Sequence, residues 1–348
     1  MVQLKVSICI PQYNRINLLL RSLAIIERQT YPNIEISISD DCSTDNTVDE
    51  IGKLSPIYKY PIVFDKNEKN LGYDRNYRKC IEMASGDYAL VIGNDDSLVN
   101  DNDIEVLVNF LKMNNYPDVG FCNLIEERTG GTLIKRAMGS KVIGSGADVA
   151  LQNYSCFSFV GGLIYKRETF LKSNTAKVDG SIYAQMYLGV HMIAKGATLF
   201  SIEEAMVLKD MLLDGIFRKS YRDRIAKKWS EFRVVDGGLP SVMNVLIGAL
   251  KDSETLTQKR TFHIFKRIYL ITFPHWILDY KENDALPEAV GLIIGLNPRK
   301  NRNYQLLNTA NKILVFLAYL SASILALLTP VFLFGKFKQR LYSFFKRQ

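Results

Sequence analysis

Five short runs of apolar and β-branched residues, at 5–11 (KVSICIP), 34–39 (IEISIS), 61–64, 88–92 (YALVI) and 119–125, alternate with segments whose apolar residues recur at helical spacing, at 18–28, 44–54, 73–84 and 104–113. The runs read as strands bounded by turn residues and the intervening segments as helices. Strands laid side by side in one direction need a crossover between them, so this order predicts an α/β fold with a mostly parallel central sheet and helices on both faces. In such sheets ligands bind outside the carboxyl ends of the strands. The chemistry is therefore sought at those ends.

The first strand leads into Pro11-Gln12-Tyr13-Asn14-Arg15, and the second into Ser39-Asp40-Asp41-Cys42-Ser43-Thr44-Asp45-Asn46-Thr47. Thr44 or Asp45 can cap the helix that follows, but capping needs one such group and two further carboxylates stand beside them. Asp41 is expected to accept hydrogen bonds from a base N–H or a ribose hydroxyl, with Tyr13 packed on the base. The fourth strand ends at Gly93-Asn94-Asp95-Asp96-Ser97. Adjacent carboxylates repel unless a proton or cation intervenes, and hard divalent cations take oxygen ligands while retaining waters and substrate phosphates. The pair predicts a Mg²⁺ or Mn²⁺ ion bridging Asp95 and Asp96 to a diphosphate.

Together these segments resemble the family 2 glycosyltransferases of the GT-A fold. The opening is similar to that family's P-x-Y-N-R and the second strand to its DD-x-S-T-D-x-T. Asn70-Leu71-Gly72 through Asn76 is similar to its N-x-G-x-x-x-x-N, and Gly86-Asp87-Tyr88 with Asn94-Asp95-Asp96 to its G-(D/E)-Y…D-x-D segment. The likeness spans about residues 6–201. Residues 71–98 followed by GGLIYKRE look most like the abequosyltransferase-like enzymes of bacterial O-antigen and surface polysaccharide assembly. The resemblance implies a nucleotide-sugar donor held by Pro11, Tyr13, Arg15, Asp40, Asp41, Asn70, Gly72, Asn76, Asn94 and Asp95, with Asp95 and Asp96 on the metal. It also implies inversion at the anomeric carbon. Two positions depart from the pattern: Gly93 stands where the first aspartate of D-x-D belongs, and Gln12 replaces a small hydroxyl residue.

The acceptor half starts near Ser155. Residues 159–165 read as a strand whose Gly161 and Gly162 permit close backbone approach. Residues 182–195 read as a helix closed by Gly196. The family's general base lies eleven residues before such a glycine, which here is Gln185, a side chain that cannot take a proton at neutral pH. Asp179, just upstream, is the first candidate for the base and His191 the second.

Net charge is +8, and its placement matters more than its size. Residues 289–348 carry nine basic and no acidic side chains, leaving the rest of the chain close to neutral. The tail's centre, residues 313–334, is uncharged for 22 residues. Such a segment points to an anionic membrane surface rather than nucleic acid. Basic residues flank both ends, four at 299–312 and five at 336–347, which favours anchoring on the cytoplasmic face of a bacterial inner membrane over a true span. Pro330 is expected to kink the segment, and Phe337, Tyr342, Phe344 and Phe345 to lie among headgroups. The charged run 218–228 reads as a solvated helix face, and residues 262–280 as an interfacial or partner helix.

The expected organisation is a catalytic domain at 1–205 (nucleotide-sugar half 1–125, acceptor half 126–205), a helical region at 206–298 and a membrane-associating tail at 299–348. No basic, apolar leader opens the chain, and five cysteines without a CxxC pair fit a reducing compartment. The activity expected is transfer of a sugar to a lipid-linked saccharide, a polyprenyl diphosphate carrying the acceptor. A polyprenyl-phosphate glycosyltransferase and a catalytically silent sugar-binding or scaffold subunit are the alternatives. A dinucleotide oxidoreductase lacks its GxGxxG after the first strand. Oligomeric state is not legible.

Overall fold

The computed structural model describes residues 3–217 and 239–334. The run 218–228 and the aromatic residues expected among headgroups, Phe337 to Phe345, lie outside them. The chain divides into two compact units, Met1–Lys219 and Ser220–Gln348.

In the first unit the strands are β1 (Val6–Gln12), β2 (Ile34–Asp40), β3 (Ile62–Lys66), β4 (Tyr88–Val91), β5 (Ser97–Leu98), β6 (Val119–Glu126), β7 (Thr132–Ile134), β8 (Lys141–Gly144), β9 (Leu163–Lys166), β10 (Leu199–Lys209), β11 (Leu212–Leu213) and β12 (Ile216–Phe217). The helices are α1 (Ile16–Ile26), α2 (Thr47–Leu54), α3 (Tyr73–Met83), α4 (Asp103–Met113), α5 (Ala147–Asn153), α6 (Arg167–Ser173) and α7 (Ala184–Ala194). The main sheet runs β3-β2-β1-β4-β9-β6-β10-β5, with β7 on β6 and β8 on β10, and β11 pairs with β12 apart from it. Strands β3, β2, β1 and β4 are parallel, as are β6 and β10; β9 runs antiparallel between β4 and β6.

The strict alternation in β1 and β2 explains the packing. Val6, Ile8, Ile10, Ile34, Ile36 and Ile38 share a core with Leu19 and Leu23 of α1 and Leu107 and Leu111 of α4. Each such side chain contributes ~1.5–3 kcal/mol when fully buried. The alternate positions are small and polar, and they serve α3. Ser37 Oγ donates to the Cys80 carbonyl at 2.7 Å, and Ser39 Oγ to Asn76 Oδ1 at 2.7 Å. A helix with little apolar surface is thereby tied to the sheet by hydrogen bonds.

The strand expected at 159–165 starts later, at Leu163, because Gly161 and Gly162 form a turn with Gly162 at φ +77°. The boundary expected at residue 205 falls inside β10, which continues to Lys209.

The second unit is helical: α8 (Leu239–Asp252), α9 (Gln258–Arg267), a π-helical turn (Ile268–Thr272), α10 (Phe273–Glu282), α11 (Leu286–Gly295) and α12 (Thr309–Leu328). The expected apolar segment begins inside α12, and that helix ends before Pro330.

Candidate functional site

The ends of β1 and β2 sit in register, Gln12 opposite Asp40. Asp40 is fully buried; its carboxylate accepts from the Ser43 N–H at 3.1 Å and from the Ser43 hydroxyl. Burial pushes its pKa up. Asp41 turns the other way and gathers a loop around itself. Its carboxylate accepts from the N–H groups of Leu71 (2.7 Å) and Gly72 (3.0 Å) and from Asn67 Nδ2 (3.1 Å). Gly72 has φ +83°, a conformation that glycine adopts without steric cost. Asn70 Nδ2 donates to the Asp41 carbonyl at 3.3 Å, and Asn76 Nδ2 to the Gln12 carbonyl at 3.1 Å. Asn70, Gly72 and Asn76 are thus the frame that joins the loop before α3 to the rim. Asp45 caps two helices at once, accepting from Ile16 N at 3.0 Å and Thr47 N at 3.2 Å.

Gln12 is fully buried. Its Nε2 donates to Thr47 Oγ1 at 3.0 Å, and its Oε1 accepts from Asn94 Nδ2 at 2.9 Å. The glutamine that departs from the family pattern therefore bridges the first and fourth strand ends. Asn94 also donates to the Tyr13 carbonyl at 3.3 Å, so Tyr13 and Asn94 are held side by side. Pro11, opposite Ser39, is half-buried at the strand end.

Arg15 forms an ion pair with Asp95, and its Nη1 lies 3.5 Å from Asn94 Oδ1. The Arg15 side chain is 9% exposed, and its Nη2 is buried without a hydrogen-bond partner. Asp96 is fully buried, accepting from Gly93 N at 3.0 Å and from Asp210 N at 3.2 Å. Burial first, and the Asp95 charge second, raise its pKa to about 8. Gly93 and Gly161 close on this carboxylate from two sides. A Cβ on Gly93 would stand 2.8 Å from Asp96 Oδ2 and 3.0 Å from Asp95 Oδ1; one on Gly161 would stand 2.7 Å from Asp96 Oδ2. Gly93 is therefore a packing requirement of the carboxylate pair and not simply a missing ligand.

Arg136, which sequence reading missed, is half-buried behind Gly161. Its guanidinium donates to the carbonyls of Cys122 (3.0 Å), Cys156 (3.2 Å) and Gly161 (2.7 Å). It thereby fixes the turn that covers Asp96. No spacing marks this residue, because it lies in a loop and acts only through main-chain carbonyls.

A divalent cation was expected between Asp95 and Asp96. Among the described residues no group of three or more His, Cys, Asp or Glu side chains forms a ready cation site. The donor set nevertheless fits a weakly held Mg²⁺ or Mn²⁺. Asp95 is the more open carboxylate, and it stands beside Asp96, whose pKa is raised first by burial and then by the Asp95 charge. A donor's phosphates would complete such a site.

The start of α7 is set by α3. Asp74, missed from sequence, accepts from Ile182 N at 2.7 Å and Ala184 N at 3.1 Å, satisfying donors at the helix start. Ile182 is held at φ +63°, a strained conformation for a β-branched residue. Asp179 is engaged by buried Arg78 through both oxygens, with Nε 3.0 Å from Oδ1 and Nη2 2.5 Å from Oδ2. That pairing ties the first candidate base to Arg78 of α3, with the Asp179 side chain still 27% exposed. His191 is buried in α7 and stacks on Tyr187, with ring centroids 5.7 Å apart. Gln185 is also buried, and its Oε1 has no hydrogen-bond partner.

Comparison with known proteins bears on this arrangement. Residues 7–172 match the family model described as Glycosyl transferase family 2. Abequosyltransferase RfbV of Salmonella typhimurium is 37% identical over 132 residues, covering 37% of this chain and 38% of that protein. A Campylobacter jejuni GalNAc(5)-diNAcBac-PP-undecaprenol beta-1,3-glucosyltransferase is 31% identical over 99 residues, covering 28% of this chain and 31% of that one. The matched parts are thus well under half the length of these relatives. The crystal structure of S. aureus TarS 1-349 in complex with UDP superposes with a TM-score of 0.60 at 15% identity, over 92% of this chain and 88% of that one, and shows the same fold.

Proposed function

We propose that this chain, whose residues 7–172 match the family model for glycosyl transferase family 2, transfers a sugar from a nucleotide diphosphate donor to a lipid-linked saccharide in bacterial surface polysaccharide synthesis. The observation that carries the reading is Arg15. Its guanidinium is buried at the meeting point of the β1 and β4 ends, paired with one carboxylate, and has one terminal nitrogen without an acceptor. A buried donor left unpaired costs ~1–3 kcal/mol, which a phosphate oxygen of the donor would relieve. Relatives named for abequosyl and glucosyl transfer support the substrate class, and the undecaprenol in one of those names supports the lipid-linked acceptor.

In this reading Tyr13 and the turn gathered by Asp41 receive the nucleoside, while Arg15 meets the diphosphate. A divalent ion at Asp95, when bound, supplies electrostatic stabilisation of the departing diphosphate. The acceptor hydroxyl oxygen forms the new bond to the anomeric carbon as the bond to the diphosphate oxygen breaks, inverting that centre, and its proton passes to a base. With Asp179 engaged by Arg78, His191 is favoured as that base, and Gln185 Oε1, buried without a partner, would accept a hydrogen bond that orients the hydroxyl. The membrane-associating region would hold this domain at the cytoplasmic face of the inner membrane, where such acceptors reside.

Gln185 and the Arg78-paired Asp179 also favour a second reading, a silent sugar-binding subunit. One experiment tests both. Purified full-length chain is screened for thermal stabilisation by UDP-, GDP-, CDP- and dTDP-sugars, and nucleoside diphosphate release is followed with Mn²⁺ for each one that binds. Binding with release supports the transferase, binding without release the silent subunit, and no binding removes both.

A further inference from the structure

The outer face of α12 is aliphatic and uncovered. Ile313, Leu317, Leu320, Ile324 and Leu328 lie along one side, and Ile324 and Leu328 are 56% and 74% exposed. The opposite side, Val315, Tyr319, Ala322 and Ala326, is buried within the second unit. A helix apolar all round is expected to be buried or in lipid, so the exposed side needs an apolar partner.

The geometry of this unit also says how that partner is met. Helix α9, the π-helical turn and α10 form a rod that runs beside α12 from one end to the other. Gln258 at the rod's start bonds Leu306 and Asn308 just before α12. Tyr269 and Phe273 at its middle pack on the Tyr319 ring, with centroids 6.0 and 5.6 Å away. Lys281 at its end donates to the carbonyls of Ala326 (2.9 Å), Leu327 (2.6 Å) and Thr329 (2.7 Å). If α12 crossed a bilayer, the rod would cross with it. Lys266 and Arg267, just before Tyr269, would then lie near mid-depth, where hydrocarbon strongly disfavours each charge. By length and composition alone α12 is able to cross a bilayer, so the charged rod packed along it is what argues against a span.

We infer that α12 lies in the plane of one leaflet, its outer face sunk among lipid chains and the α9–α10 rod kept in water. This rests on the membrane-attachment part of the proposed function. The occupant is an anionic lipid surface. Arg299, Lys300, Arg302 and Lys312 gather at the start of α12, and no acidic residue follows Glu288 in the sequence. The Arg299 guanidinium sits over the Phe316 ring, 4.2 Å from its centroid, which holds this cation beside the apolar helix.

The test uses the full chain and vesicles of phosphatidylglycerol with phosphatidylcholine. In a Trp229→Phe/Trp276→Phe background, tryptophan is introduced singly as Leu314→Trp, Leu320→Trp and Leu328→Trp, and quenching is read with lipids brominated near the headgroup or near the chain end. The in-plane arrangement predicts that all three are quenched most by the shallow bromine. A spanning helix would show Leu320→Trp quenched most by the deep bromine, and a face covered by protein, including a second copy, would show no quenching; either result overturns the inference. A Leu317→Ser/Ile324→Ser/Leu328→Ser variant should keep its melting temperature and lose roughly tenfold or more of its vesicle partitioning. Unchanged partitioning would also overturn it. Donor binding is read without vesicles, so failure here is distinguishable from failure of the transferase reading.

Discussion

Arg15 and Asp95 face one another across the ends of β1 and β4 as an ion pair, with Nη2 of the same guanidinium buried and unpartnered. The pair joins the two strand ends that would hold the donor in the proposed function. Arg15→Ala should therefore weaken nucleoside diphosphate binding ten- to a hundredfold, from ~1.5–3 kcal/mol for a charge-assisted bond. Calorimetry showing equal affinity for wild type and variant would detach Arg15 from the site.

Asp41 holds the 67–72 loop through three donors, so Asp41→Ala should lower both stability and nucleotide affinity. Urea unfolding should show a loss of ~2–3 kcal/mol. Weakened binding with unchanged stability would mean instead that Asp41 touches the ligand and not the loop.

The pH response follows from Asp96. Its carboxyl titrates at about 8 in the fold, against about 3.9 in an unfolded chain. Between those values the folded state holds a proton that the unfolded state releases, so this group's stabilisation is full below pH ~4 and is lost as pH rises through ~8. A cation at Asp95 and Asp96 competes with that proton. Mn²⁺ should raise the melting temperature more at pH 8 than at pH 6; an equal shift at both would detach the ion from Asp96.

Restoring the family aspartate should do harm. In Gly93→Asp the new Cβ would meet the oxygens of both Asp96 and Asp95 at 3.0 Å or less. Mn²⁺-dependent turnover should fall, and a variant with higher turnover would show that the carboxylates have room to part.

Asp179→Asn should lower the melting temperature, since one arm of the Arg78 pair is weakened, while turnover per folded molecule stays near normal. A large fall in kcat with an unchanged melting temperature would return Asp179 to the base role.

The alternation of Ile with Ser or Cys in β1 and β2 was enough to define these strands, their buried face and the end at which polar residues gather. Local hydrogen-bonding chemistry at 40–47 and 70–76 likewise marked the loops that meet there, because turns and caps are short-range. The apolar run at 313–334 stood out by composition alone. Placement was another matter. Strand β9 enters antiparallel between β4 and β6, and nothing in its four residues says so, because strand order is decided by which edges remain to be paired. Asp74, Arg136 and Asp179 took their roles from partners distant in sequence: the start of α7, the carbonyls of the 156–161 turn, and Arg78. Whether Gly93 was a lost ligand or a fitted gap depended on oxygens of two neighbouring carboxylates, and the burial of one side of α12 on the helices that pack along its length. Sequence carries periodicity and local chemistry, whereas these assignments rest on long-range contacts that exist only once the chain has closed on itself.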